Sequence, residues 1–329
     1  MNAFEYYRAG TPADSTAAVV SHHNAMFFAG GTTLVDLMKI DVLTPDTLVD
    51  VNSLALREIE VTDEAIVAGA NVSNSQLAWH PAVRERLPVV TQSILSGATT
   101  QIRNMATVAG NIVQRTRCPY FRDVNSACNR RVPHSGCDAL DGFNRGHAVL
   151  GVSEHCIATH PSDMCVAAAL LDAEIRTLMA DGAHRTIPLN EFHLLPGDTP
   201  HLETVLERGE LITHVVFPTR PIARRSYYLK VRDRASYEFA LASAAVAIQL
   251  DGGRIVEARL AIGGVATKPW RCVAAEQSLV GKPAVERSFR EAAEIALTGA
   301  VAHHHNTFKI ELAKRTIVRA FTTITEVTS

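Results

Sequence analysis

Apolar positions along residues 1–70 switch between helical and strand spacing, and the residues at each switch are turn and cap formers. Thr11-Pro12 sets a capping hydroxyl before a proline at the first helical position, and Ala17 to Val20 continue that helix. Ala25 to Ala29 reads as a short buried strand, Gly30-Gly31 as a tight turn and Thr33 to Ile40 as a helix. Strands are expected at Thr47–Val51 and Ala65–Ala70, and Ser73 is expected to cap a helix running toward Trp79. This is an α/β opening. From Thr99 to Thr159 the periodicity fails, and glycine, asparagine, arginine and cysteine accumulate. A structureless run of that length inside a compact domain is uncommon and usually functional. Regular pattern resumes with an apolar helix from Met164 to Leu171, with Pro161 at its start and Asp163 in its first turn. Strands follow around Ile175–Met179 and Leu211–Phe217.

Beyond about Ala223 the runs lengthen. Ser226–Arg232, Ala242–Leu250 and Ile255–Ile262 predict an antiparallel sheet turning at Asp251-Gly252-Gly253. Helices Val285–Leu297 and Phe308–Phe321 follow, the second capped by Asn306 or Thr307. The expected fold is α+β. One domain spans residues 1–220 with an insertion at 115–158, and a C-terminal domain of antiparallel sheet plus helices spans 221–329.

Composition narrows the function classes. At 47% hydrophobic over 329 residues, the chain can bury the cores of two or three domains. Lys plus Arg (32) nearly balance Asp plus Glu (34), so no charge excess draws it to nucleic acid or an anionic membrane. No segment approaches the ~20 apolar residues of a membrane span. Met1–Gly10 lacks a basic region followed by an apolar stretch, so an export signal of its own is not expected. No G-x-S-x-G elbow supports hydrolysis. His303-His304-His305 reads as a polar loop before the last helix, and His22-His23 as a helix end.

Two segments carry chemistry. Phe28-Ala29-Gly30-Gly31-Thr32-Thr33-Leu34 runs strand, glycine turn, helix start. Glycines there let backbone N–H groups approach a pyrophosphate, and threonine hydroxyls add donors. Neither the dinucleotide-fold nor the P-loop spacing is present. The second segment is Ala98-Thr99-Thr100-Gln101-Ile102-Arg103-Asn104-Met105-Ala106-Thr107-Val108-Ala109-Gly110-Asn111-Ile112.

Together the two segments resemble the FAD-binding subunits of the xanthine dehydrogenase and carbon monoxide dehydrogenase family, the molybdenum hydroxylases. The resemblance covers nearly the whole chain. It implies a two-subdomain FAD-binding domain of the vanillyl-alcohol-oxidase type, with the diphosphate held by Met26, Phe27, Phe28, Ala29, Gly30, Gly31, Thr32, Thr33 and Leu34. It further implies that Thr107, Gly110 and Asn111 run along the flavin, with Ala109 standing where the family often has glycine. His160-Pro161-Ser162-Asp163-Met164 is similar to a third family element, whose aspartate, here Asp163, binds ribityl or adjoining hydroxyls. Gly209-Glu210-Leu211-Ile212 and Lys230 resemble the places where a backbone group and a lysine approach the isoalloxazine. On their own residues, Asp163 reads as a helix-start acid and Lys230 as a surface lysine.

Simpler members join the glycine-asparagine turn almost directly to the proline-aspartate helix, whereas here 49 residues separate Asn111 from Pro161. Four of the six cysteines, Cys118, Cys128, Cys137 and Cys156, lie in that insertion, separated by nine, eight and eighteen residues. Four thiolates on a long loop suit a cubane [4Fe-4S] cluster, which would also stiffen a loop with little core. Zinc stays open, although no C-x-x-C knuckles are present, and so do two disulfides. Arg115, Arg117, Arg122, Arg130, Arg131 and Arg145 outnumber Asp123, Asp138, Asp141 and Glu154, which suits an anionic cluster or a subunit interface equally. Cys165 reads as a core thiol.

The cysteine pattern looks most like the FAD subunits of periplasmic aldehyde oxidoreductases, and 4-hydroxybenzoyl-CoA reductases share a four-cysteine insertion. That resemblance implies a heterotrimer with a molybdenum-cofactor large subunit and a [2Fe-2S] small subunit, and export to the periplasm in company with a signal-bearing partner; the alternative compartment is the cytoplasm. It assigns this chain no catalytic residue for the aldehyde. A self-sufficient flavin reductase and a zinc-stabilised scaffold are the competing readings.

Overall fold

A computed structural model describes residues 1–326. Strands β1 (Glu5–Arg8), β2 (Ala25–Phe28) and β3 (Thr47–Asp50) form a parallel sheet in the order β1-β3-β2. Parallel neighbours need a crossover. Helix Leu34–Lys39 provides it between β2 and β3, while helix Pro12–Ser21, capped by the Thr11 hydroxyl, which accepts from the Asp14 amide, carries the chain from β1 across to β2. β2 is half-exposed rather than buried as expected, because Ala25, Met26 and Phe27 border an open cleft. The helix after the glycine turn, Leu34–Lys39, buries Leu37 and Met38.

The second sheet is antiparallel throughout. It takes β4 (Ile59–Val61), β5 (Ala65–Gly69), β6 (Glu174–Leu178), β7 (His184–Pro188) and β8 (Leu211–Pro218) in the order β4-β5-β8-β6-β7. Since β5 pairs with the distant β8, this sheet encloses the long intervening segment and shares one hydrophobic core with the first sheet. Helix Asn74–Trp79 opens with a full capping box between Ser73 and Gln76.

Regular structure persists further past Thr99 than the pattern predicts. Helices Thr100–Met105 and Val108–Ile112 are capped by Thr99 and Thr107, whose hydroxyls accept from the amides of Ile102 and Gly110. At six and five residues they are too short to register an apolar period. Beyond them, residues 113–162 contain one short helix, Pro119–Arg122. The next helix runs Asp163–Leu170, starting two residues past Pro161 and capped by Ser162. Residues Met164 to Leu170 are all buried, as an apolar helix between layers must be.

β9 (Ser226–Val231), β10 (Ala242–Asp251), β11 (Arg254–Gly263) and β12 (Trp270–Arg271) form the third, antiparallel sheet in the order β12-β11-β10-β9. Gly252 and Gly253, both at positive φ, make the hairpin turn. Helices Val273–Leu279, Glu286–Ala296 and Phe308–Glu326 cover the sheet, with Phe289 and Phe321 stacked at 5.2 Å. Asn306 does more than lead into the last helix. It accepts from the His303 amide and donates to the carbonyl of Ala148, while buried Lys309 donates to the carbonyls of Gly146 and His147. The last helix thereby fastens the far end of the cysteine insertion to the C-terminal sheet.

Candidate cofactor-binding site

A cleft of about 560 Å³ opens between the parallel sheet and the antiparallel sheet beside it, within the size range of small-molecule and cofactor sites. Met26, Phe27, Ala29, Gly30, Gly31, Thr32, Thr33 and Leu34 line one wall. Thr107, Ala109, Gly110 and Ile212 line another. The two motif segments touch: a Cβ added at Gly30 would stand 1.9 Å from the Met105 carbonyl oxygen, so only glycine lets them close. Gly31, at φ +70, makes the turn itself. Thr33 ends the turn without a side-chain capping bond, which leaves its hydroxyl to the cleft. Behind Ile212, buried Glu210 accepts from the Thr177 hydroxyl, the Arg185 guanidinium and the Glu207 amide, holding the loop before β8.

The cysteine insertion is strapped to the body through its arginines. Arg117 and Arg122 both reach Asp36 at 2.8 Å, on the helix behind the glycine turn, and hold its carboxyl below the usual range. Arg145 pairs with Asp233. Arg131 donates to the carbonyls of Tyr120, Phe121 and Ser126 and so holds the loop in its own curve. Within that frame Cys118, Cys128, Cys137 and Cys156 line one small cavity. All six cysteines of the chain are free thiols. Burial pushes Cys118 up to about 12 and Cys137 up to about 11, with repulsion from neighbouring cysteine sulfurs adding to both. Cys156 receives donors from the Arg130 guanidinium at 3.7 Å and the Ala158 amide at 3.5 Å. Such donors suit a thiolate. Bound metal supplies the charge that deprotonates buried thiols of this kind.

Residues 2–220 match the family described as the FAD binding domain in molybdopterin dehydrogenase, and residues 227–324 match the CO dehydrogenase flavoprotein C-terminal domain. The chain is 50% identical over 318 residues to the aldehyde oxidoreductase FAD-binding subunit PaoB of Escherichia coli, covering 96% of each chain. This chain belongs to the FAD-binding subunits of the molybdenum hydroxylases. It is 27% identical to the glyceraldehyde dehydrogenase medium chain of Sulfolobus acidocaldarius, over 85% of this chain and 82% of that one. The same fold is found in quinoline 2-oxidoreductase from Pseudomonas putida, with a TM-score of 0.76, 23% identity and coverage of 99% of this chain and 98% of that one. A two-domain FAD-binding fold and a place within an oxidoreductase are therefore established for it.

Four of the flavoprotein residues implied by the resemblance do not line the cleft. Phe28 turns away to meet Tyr6 edge-on, and the Asn111 side chain accepts from Ser162 and Gln114. Asp163 and Lys230 pair with each other at 2.8 Å, at 11% and 4% side-chain exposure, and Tyr228 donates to the second Asp163 oxygen. Lys230 is thus no surface lysine: β9 and the apolar helix bury it against its acid. Removing one member of a buried pair strands the other's charge. Lys230→Ala is expected to lower unfolding stability by about 3 kcal/mol, and the double variant Lys230→Met with Asp163→Asn to recover most of it. Denaturant unfolding of the three proteins checks this; equal stability of Lys230→Ala and wild type would contradict it.

Arg115 and Arg130 of the insertion and His160 of the third motif also line the cleft. His193, His201 and Glu203, which line the same part of it, escaped the sequence reading; they come from residues 193–210, which hold no helix or strand. The length of that irregular stretch was the available signal. Burial holds His193 at about 4 and His160 well below its usual value, so both rings are neutral. His160, His193 and Cys165 bring ligand atoms within 4.8 Å of one another. His193 Nε2 lies 2.9 Å from the Ile112 carbonyl, however, so that nitrogen carries a proton and offers no lone pair to a metal.

Proposed function

We propose that this chain is the FAD- and [4Fe-4S]-containing electron-transfer subunit of a molybdenum-dependent aldehyde oxidoreductase. In this reading it accepts electrons from a [2Fe-2S] small subunit, while a molybdenum-cofactor large subunit oxidises the aldehyde to a carboxylic acid. The observation that carries it is one chain holding both a flavin-type cleft and a cavity lined by four buried or half-buried cysteines. The aldehyde assignment leans on a relative half-identical over nearly its full length.

The residues fit both groups. Gly30, Gly31, Thr32 and Thr33 offer a close-approach turn with hydroxyls to a diphosphate, and Thr107, Gly110 and Ile212 face them across the cleft. When bound, the flavin would supply the exchange between one-electron and two-electron chemistry. Cys118, Cys128, Cys137 and Cys156 would hold the cluster. Among the described residues the trio of metal-ligating atoms within 4.8 Å of one another is His160, Cys165 and His193, so no three of the four clustered sulfurs stand that close. Tetrahedral zinc, with bonds near 2.3 Å, draws its sulfurs to about 3.8 Å apart. Four thiolates on a loop without paired C-x-x-C knuckles suit a cubane.

The test uses the chain assembled with its large and small subunits. Under anaerobic conditions an aldehyde is expected to bleach the flavin absorbance with release of the carboxylic acid. A molybdenum-loaded complex whose flavin stays oxidised with aldehydes contradicts the reading; reoxidation of a reduced flavin by an aromatic acyl thioester would move the substrate class to that reaction.

A further inference from the structure

A wall of two arginines and a glutamate separates the flavin cleft from the cysteine cavity. Arg130 lines both spaces and is 8% exposed. Among the described residues it is the only arginine, lysine or carboxylate lining the cysteine cavity. Its Nη1 meets Glu203 Oε2 at 2.9 Å, and its Nη2 donates to Cys156 Sγ at 3.7 Å. Arg115 pairs with the other Glu203 oxygen and lays its guanidinium 4.7 Å from the centroid of Phe121, a ring that itself borders the cysteine cavity. Two guanidiniums against one carboxylate leave a net positive wall.

We propose that Arg130 sets the reduction potential of the cluster held by the four cysteines, with Glu203 as the counter-charge that limits its effect. The inference rests on the cluster reading above. Reduction of a cubane cluster adds one electron, and hence one negative charge, with its four thiolate ligands unchanged. Net charge and hydrogen bonds to the sulfurs are the protein's levers on that step. A buried guanidinium donating to a ligating sulfur supplies both, in a setting where solvent screens little. Glu203 acts the other way, since its negative charge in the same ion trio offsets part of Arg130. Arg130 acts through the Cys156 sulfur it donates to, so its role is positioning and tuning.

Opposite signs give the test its power. Arg130→Gln removes the positive charge, while Glu203→Gln leaves Arg130 and its bond to Cys156 in place and removes the negative one. The cluster's midpoint potential is read by a mediator titration of the whole complex, followed through the electron paramagnetic resonance signal of the reduced cluster. Arg130→Gln is expected to be about tenfold less reduced at a given poise, ~59 mV lower for one electron. Glu203→Gln is expected to move up by a similar factor, and Arg130→Lys, which keeps the charge, to stay near wild type. Potentials that do not move, or that move the same way in both glutamine variants, overturn the proposal. Should Arg130→Gln lose its iron, Glu203→Gln decides alone: an upward shift bears the proposal out and no shift overturns it. An iron-free wild-type complex instead overturns the cluster reading itself, an outcome distinct from an iron-bearing protein whose potentials stand still.

Discussion

Gly30→Ala is expected to weaken FAD binding by roughly a hundredfold, an overpacking cost of about 3 kcal/mol. The new methyl would lie 1.9 Å from the Met105 carbonyl oxygen and 2.8 Å from its carbon, both backbone atoms that no rotamer change relieves. The turn must therefore part from the Thr99–Thr107 segment, whose last residue, Thr107, lines the same cleft as the turn. Neighbouring glycines calibrate the effect. Gly31→Ala meets a Phe28 ring carbon at 2.9 Å, a contact the ring relieves by shifting, and strains a φ of +70; it should weaken FAD by about tenfold. Gly110→Ala meets only the Thr107 hydroxyl, at 3.0 Å, and should stay closest to wild type. Flavin retained after ultrafiltration, titrated over FAD concentration, gives the three affinities. Wild-type affinity in Gly30→Ala would show that FAD does not depend on the closure of these two segments.

Cys118→Ser is expected to lose about nine-tenths or more of the iron while keeping most of the FAD. Cys118 lines the cysteine cavity and not the flavin cleft, so the two losses should separate. Phe121, on the helix that Cys118 precedes, packs with Leu37 and Cys128 in a small core of its own, so the loop retains an anchor when the ligand is gone. The arginine straps to Asp36 act in the same direction. Cys165→Ser is the control. Its thiol is buried in the apolar helix outside the cavity, so iron should be retained in full. Iron and flavin analysis of the purified variants checks both, and full iron retention in Cys118→Ser would remove that residue from the ligand set.

Much of the fold was legible because its long elements repeat one period for several turns or residues. The paired strands β9, β10 and β11, the Thr11 and Ser73 caps and the last helix all follow from such runs. Some of the shortest elements were not legible. β12 and the helices Thr100–Met105 and Val108–Ile112 carry too few positions for any period, and tertiary contacts such as Val108 N–H to the Val72 carbonyl hold them. The site divides along the same line. Gly30, Gly31 and Thr107 act through local backbone geometry, and a local motif displays them. The pairing of Lys230 with Asp163, and of Arg130 with Glu203, joins residues 67 and 73 positions apart, and only the fold reveals which charges meet. The four cysteines were visible as a cluster in sequence, but their convergence on one cavity depends on Arg131, Asp36 and Lys309, which carry no motif.

The most direct test is the composition of the purified chain: an absorption spectrum with and without dithionite, together with iron, acid-labile sulfide, zinc and released-flavin analysis. The account predicts about one FAD, about four irons and about four sulfides per chain, with flavin and broad iron–sulfur absorption both bleaching on reduction. Flavin accompanied by zinc and no iron would contradict the two-cofactor claim at the cysteine cavity, and a colourless protein that takes up no FAD would contradict it at the cleft.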